Sequence, residues 1–129
     1  MSIGIVDTTV ILHLYRNHKP ANQWLESQTD VHTITTVSWL EVMRGAPGKT
    51  GQARCLKLLE LFEVEYVTQQ DQIWAMEQMT KLRLSRGVEM NDCLIASVSY
   101  RLNIPIYTHN TKDMLKLLST TLVQIPYHL

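Results

Sequence analysis

Ile3-Gly4-Ile5-Val6-Asp7-Thr8-Thr9-Val10-Ile11-Leu12 is the stretch on which the fold turns. Ile3–Val6 is a short apolar run of the kind that fills a strand covered on both faces. It stops at Asp7. From Thr8 to Tyr15 the period changes, and Val10, Ile11, Leu14 and Tyr15 form a helical stripe. A buried strand that runs through a single acid into a helix is the opening of an α/β unit.

The same alternation continues outward. Pro20 reads as a helix start for Ala21–Gln28, with Trp24 and Leu25 inward. Val31–Thr35 is β-branched and strand-like, and Ser38–Arg44 is helical and stops at Gly45. Ala46–Gly51, with Pro47 and two glycines, reads as a flexible loop. Gln52–Phe62 is a helix, Val64–Val67 a strand, and Asp71–Arg86 a long helix closed near Gly87. Asn91–Leu102 is a tightly apolar helix, Ile104–Thr108 a strand, Asp113–Leu118 a short helix and Leu122–Ile125 a last strand. Strands separated by helices pair in parallel through right-handed crossovers. The expectation is a three-layer α/β fold with a central five-stranded parallel sheet, in one domain spanning residues 1–129.

Composition narrows the function classes. The 129 residues carry 12 Lys and Arg against 12 Asp and Glu, a formal net charge of zero, which disfavours a polybasic nucleic-acid or membrane binder. Neutrality also leaves little repulsion between copies, which favours assembly. Cys55 and Cys93 are too few for a disulfide framework or a zinc site and read as buried thiols of a reducing cytoplasm. Met1–Asp7 has no basic region or cleavage site, and no apolar run nears the ~18 residues of a membrane span.

Ligands of such sheets gather beyond the carboxyl ends of the strands. Asp7 follows the first strand, Glu41 lies on the helix after the second, Asp92 opens the helix before the fourth, and Asn110 and Asp113 follow the fourth. Each has a local explanation. Asp7 suits a helix cap, Ser38 and Glu41 match a capping box, Asn91 and Asp92 look like cap and first-turn residues, and Asp113 suits a helix start. Together they imply more. Desolvated carboxylates raise one another's pKa, so holding several ionised requires a cation. Oxygen donors without Cys or clustered His select Mg²⁺ or Mn²⁺ over zinc. A cation of that kind activates water and stabilises the charge of a phosphodiester under attack.

Two other signals fail. Gly48-Lys49-Thr50 resembles the end of a phosphate-binding loop, but Met43 stands where that motif needs glycine. Asp7-Thr8-Thr9 resembles the start of an aspartyl phosphotransferase, but Thr9 stands where a second acid is needed. The five histidines, His13, His18, His32, His109 and His128, show no metal-ligand spacing and read as surface or packing residues. His109 alone, beside the acids, is placed to touch a substrate.

Four segments resemble the PIN-domain ribonucleases, especially the VapC toxins of bacterial and archaeal toxin–antitoxin pairs. They are Ile5–Leu12, Val37–Gly45, Gly87 with Asn91–Ser97, and Ile106–Met114. The resemblance implies strand order 3-2-1-4-5 and an acidic Mg²⁺ (or Mn²⁺) pocket that cuts RNA. It carries over Asp7, Glu41 and Asp92 as metal-binding catalytic acids and Asp113 as a fourth. Asn110 holds a position that is Asp in some relatives. Thr8 and Thr108 supply hydroxyls. Arg44, Lys49, Arg86 and Lys112 neighbour the motifs as RNA-binding candidates. Met114 replaces the usual Phe, and Trp39 is bulkier than usual. The resemblance further implies a homodimer and a small antitoxin partner. A silent RNA- or protein-binding module and a non-toxin processing nuclease stand as the alternatives.

Overall fold

The computed structural model describes residues 3–129. Met1 and Ser2, on which the reading of the extreme N-terminus partly rests, lie outside them. Five strands, β1 (Ile5–Val6), β2 (Thr33–Thr35), β3 (Glu63–Glu65), β4 (Ile106–Tyr107) and β5 (Val123–Gln124), form one sheet in the order β3-β2-β1-β4-β5. Every neighbouring pair is parallel, as the sequence predicts. The helices are α1 (Thr8–Tyr15), α2 (Lys19–Ser27), α3 (Thr36–Arg44), α4 (Gly48–Leu59), α5 (Gln69–Arg86), α6 (Met90–Leu102) and α7 (Thr111–Met114).

Alternation along the central strands sorts the two hydrophobic layers. Val6 and Tyr107 point into one core with Ile34, with Val10, Ile11 and Leu14 of α1, Trp24 of α2, Val42 of α3 and Leu59 of α4. Ile5 and Ile106 point the other way, onto Ile95, Ala96 and Val98 of α6, with Met114 and Leu118. A smaller cluster of Ala75, Val88 and Cys93 joins α5 to α6. Both cysteines are buried and free, as expected. Met114 is fully buried, so the replacement for the family's Phe is a core-filling residue.

Gly4 is required by close approach. A Cβ there would meet the Tyr107 ring at 2.5 Å and the Pro105 carbonyl at 2.8 Å. That approach lets Gly4 N–H donate to His32 Nδ1 at 3.1 Å, while His32 Nε2 pairs with Gln28 and its ring stacks on Trp24. His32 is thus a packing residue, as read from sequence.

Several local expectations need correction. The loop at Ala46–Gly51 is mostly helix, because α4 begins at Gly48. Pro47 stands at its N-cap, and Gly51 is buried with Pro47 and the Tyr15 hydroxyl so near that a side chain would collide. The glycine marks where α4 meets Tyr15 of α1. Ser38 is not the cap of α3. Thr35 is, accepting from Ser38 N–H at 3.1 Å. The N-cap of α6 is Glu89, and that of α7 is Asn110, neither with a side-chain cap bond. The strands are also shorter than the runs read from sequence, and β3 begins one residue earlier, at Glu63.

Candidate functional site

The carboxyl ends of β1 and β4 bring the predicted residues to one rim. Asp7 is the N-cap of α1, and its Oδ1 accepts from Thr8 N–H at 2.8 Å. Its Oδ2 accepts from Thr108 Oγ1 at 2.6 Å, and Thr108 accepts in turn from Asn110 N–H at 2.9 Å. The loop after β4 therefore orients the acid after β1. Asp7 is 3% exposed. Burial pushes its carboxyl above the ordinary value, nearby Glu41 adds to the rise, and the Thr108 and Thr8 hydrogen bonds oppose it.

Glu41 reaches the same place from the second turn of α3. Thr8 Oγ1 lies 2.7 Å from Glu41 Oε1 and 2.9 Å from Ser38 Oγ. Thr8 has one hydroxyl proton, so when it donates to Glu41 the Ser38 hydroxyl donates to Thr8. Asn91 Nδ2 donates to the other Glu41 oxygen at 3.2 Å. Ser38 and Asn91 are site residues that the sequence reading assigned only to capping. The signal that identifies them is their place at i−3 from Glu41 and beside Asp92.

Asp92, in the first turn of α6, is pushed up to about 6. Burial is the main cause, followed by repulsion from Asp7, Asp113 and Glu41, and a long hydrogen bond of 3.4 Å from Asn110 Nδ2 opposes it. Three other acids thus act on this one carboxyl. Asp113 differs from the rest. Lys116 Nζ lies 2.9 Å from its Oδ1 and holds it below the ordinary range. To join the others at a cation, Asp113 must leave that lysine.

The basic candidates separate. Arg44 shares a groove with Val37, Leu40, Glu41, Asn91 and Leu94. Lys112 is close enough to Asp113 to lower its pKa. Lys49 and Arg86 are exposed near the ends of α4 and α5. Among the described residues, no hydrogen bond or ion pair joins either to the acids. His109 lies against the rings of Tyr127 and His13, at centroid distances of 4.6 and 5.3 Å.

The donor set is all oxygen, and burial together with mutual repulsion raises Asp7 and Asp92, which fits a hard divalent cation. Among the described residues, no group of three or more His, Cys, Asp or Glu side chains is already set to hold a metal ion. The acids are instead tied to hydroxyls, amides and Lys116, so closure around a cation requires side-chain rotation.

Comparison with known proteins agrees with this architecture. No curated protein matches the sequence. A toxin–antitoxin complex from Klebsiella pneumoniae is similar in structure, with TM-score 0.78, 24% identity, and coverage of 98% of this chain and 99% of that one. VapBC2 from Rickettsia felis, bound to a promoter DNA fragment, superposes with TM-score 0.79 at 20% identity over 96% and 98% of the two chains. Mycobacterium tuberculosis VapC20, described as a sarcin–ricin-loop-cleaving toxin, gives TM-score 0.65 at 18% identity over 85% and 91%. The sequence profile of the PIN domain matches residues 4–117, and the chain belongs to the PIN-domain family.

Proposed function

We propose that this protein is a divalent-metal-dependent endoribonuclease and the toxin member of a toxin–antitoxin pair. The observation that carries the reading is the convergence on Asp92, whose carboxyl is raised to about 6 by burial and by Asp7, Asp113 and Glu41 from three other segments. A site that concentrates negative charge at the cost of its own stability is built for a positive occupant. The description of fold relatives as toxin–antitoxin complexes supports the toxin assignment, and that of VapC20 as a sarcin–ricin-loop-cleaving toxin supports RNA as substrate.

Asp7, Glu41 and Asp92 would hold Mg²⁺ or Mn²⁺, with Asp113 joining after release of Lys116. When bound, such an ion lowers the pKa of a water molecule and polarises the scissile phosphate. The chain's own groups do the positioning. Thr108 and Thr8 N–H fix both oxygens of Asp7, while Thr8 and Asn91 fix both oxygens of Glu41. Arg44 and Lys112 offset the acidic rim for an approaching phosphate backbone. Asp92, whose carboxyl is raised to about 6, would be the group to take a proton from the attacking water. The proposed partners are a small antitoxin and a second copy of the chain, in the cytoplasm. No helix among the described residues is long and apolar enough to cross a membrane.

Asp7→Asn tests the reading. Asn keeps the cap, so the variant folds, while cleavage of total RNA in Mg²⁺ falls at least about 100-fold, the loss expected when several kcal/mol of metal-derived stabilisation goes. Equal cleavage by the variant refutes the site. RNA binding without a product at any Mg²⁺ concentration supports a silent binding module instead. Growth arrest on expression, relieved by a co-expressed neighbouring protein, tests the toxin assignment.

A further inference from the structure

Rings from four chain segments meet at the loop that follows β4. His13 lies on α1, His18 precedes α2, His109 follows β4, and Tyr127 belongs to the segment after β5. Tyr127 is the ring they share. Its centroid is 4.6 Å from His109, 5.9 Å from His13 and 6.1 Å from His18, and Trp24 of the buried core lies 6.2 Å away. Its hydroxyl is hydrogen-bonded to His13 Nδ1 at 2.6 Å.

Among these rings, His109 stands in the stretch that organises the acidic rim. The residue before it, Thr108, donates to Asp7 Oδ2 at 2.6 Å. The residue after it, Asn110, donates through its backbone N–H to Thr108 Oγ1 at 2.9 Å and through Nδ2 to Asp92 Oδ2 at 3.4 Å. Thr108 and Asn110 thus serve acids that sit on two different helices, while the residue between them packs against rings. His109 Nε2 is buried without a hydrogen-bond partner, so that edge of the imidazole is held by packing alone. Tyr127 is the nearer of its two ring neighbours, at the close end of the roughly 4.5–7 Å range of packed ring pairs. Adjacent Cα atoms are about 3.8 Å apart across a trans peptide, so a shift of His109 passes directly to Thr108 and Asn110.

We propose that Tyr127 is a positioning residue for the acidic rim: its ring backs His109 and so holds Thr108 and Asn110 at Asp7 and Asp92. The path from Tyr127 to Asp7 is one ring contact, one peptide link and one hydrogen bond. Tyr127 is itself anchored to His13, in the last turn of the helix that Asp7 caps, so the path begins and ends on α1. A misplacement of about 1 Å at a reacting centre costs on the order of 100-fold in rate, which is why a remote brace of this kind matters. The proposal rests on reading the rim as a metal site, but the brace itself exists without metal.

The test compares Tyr127→Ala, Tyr127→Phe, His109→Ala and the Tyr127→Ala/His109→Ala pair with wild type. Hydrogen exchange of the Asn110 N–H is followed by NMR in metal-free protein, Mg²⁺ affinity by calorimetry, and kcat and KM on RNA by cleavage. Tyr127→Ala should speed the Asn110 exchange at least about 10-fold. It should raise the Mg²⁺ Kd about 10-fold, the low end of the loss at an outer partner of a metal ligand, and lower kcat with KM unchanged. Tyr127→Phe keeps the ring and should stay within about twofold of wild type on every readout. His109→Ala should match Tyr127→Ala, and the pair should lose no more than either alone, because both break one contact. Arg101→Met lies in the last turn of α6, away from Asp92 in the first, and should lower Tm while leaving the Mg²⁺ Kd unchanged. Melting verifies each fold, and if Tyr127→Ala does not fold, His109→Ala decides. An Asn110 N–H as protected in the alanine variants as in wild type overturns the proposal. So do additive losses in the pair, a Tyr127→Phe as impaired as Tyr127→Ala, or an equal rise of Mg²⁺ Kd in Arg101→Met. If the wild type binds no Mg²⁺ and cuts no RNA, the nuclease reading fails, and the exchange measurement still decides the brace.

Discussion

Asp92→Asn removes a strained charge of the rim, and the metal-free protein should become more stable for it. The Asp92 carboxyl is raised from 3.8 to about 6, mainly by burial and then by Asp7, Asp113 and Glu41. That is about two pH units, or at most ~3 kcal/mol of penalty on the ionised form at pH 7.5. The side chain is partly exposed, so solvent screening reduces the penalty to about 1–2 kcal/mol. Against it stands the favourable placement of an anion in the first turn of α6, worth about 0.5 kcal/mol. The net gain for Asn is therefore about 1 kcal/mol, or roughly 3–5 °C in Tm for a chain of this size. The sign fixes the pH window. Because the folded-state pKa is raised, the penalty is complete above about pH 7, shrinks as pH falls through about 6 to 4, and disappears below about pH 3, where the carboxyl is protonated in folded and unfolded chains alike. Thermal melts in chelator at low salt, from pH 3 to 8, should show the variant ahead at pH 7.5 and level with wild type near pH 3. Mg²⁺ should reverse the order at pH 7.5, because wild type alone keeps all the ligands. A variant that melts at or below wild type at pH 7.5 without metal refutes the argument, and so does a gap that ignores pH.

Thr108→Val conserves shape but deletes the donor to Asp7 and the acceptor of Asn110 N–H. It should cost about 1–3 kcal/mol and shrink the Mg²⁺-induced rise in Tm. Arg101 bridges Glu65 and the buried Asp71, 1% exposed. Burial raises the Asp71 carboxyl, but hydrogen bonds from Arg101 and Thr68 outweigh it and hold the group below its ordinary value. Arg101→Met should cost about 2–4 kcal/mol at pH 7 in urea titrations, Asp71→Asn in the same chain should recover part of it, and the loss should fade below about pH 4 as Asp71 protonates. Gly4→Ala should lower the urea midpoint by the equivalent of about 1–3 kcal/mol, since its Cβ overlaps Tyr107 and the Pro105 carbonyl.

The order of elements and the gathering of acids were legible in sequence because both are written locally. Ile5-Val6-Asp7 and Ile106-Tyr107-Thr108 are apolar runs ended by polar residues at the strand exits, and parallel topology places those exits side by side. Features decided by distant contact were not legible. Pro47 and Gly51 carry loop propensity, yet Pro47 caps α4 and Gly51 lies inside it, beside the Tyr15 hydroxyl. Ser38 and Glu41 have capping-box spacing, yet the chain enters α3 one turn earlier, and α5 begins at a capping box of Thr68 with Asp71, the residue at which the sequence reading starts that helix. The histidine cluster is the extreme case, since 96 residues separate His13 from His109 and no short-range spacing connects them.

Asp7 serves two tasks with one side chain, starting α1 and presenting a carboxylate to the rim. Descendants that abandon chemistry are therefore not free to drift there. Alanine would weaken the first turn, whereas asparagine, serine or threonine would keep the cap and lose the charge and the second acceptor that Thr108 uses. A retired copy of this protein should carry one of those three residues at its seventh position, a fossil of the catalyst preserved by the needs of the backbone.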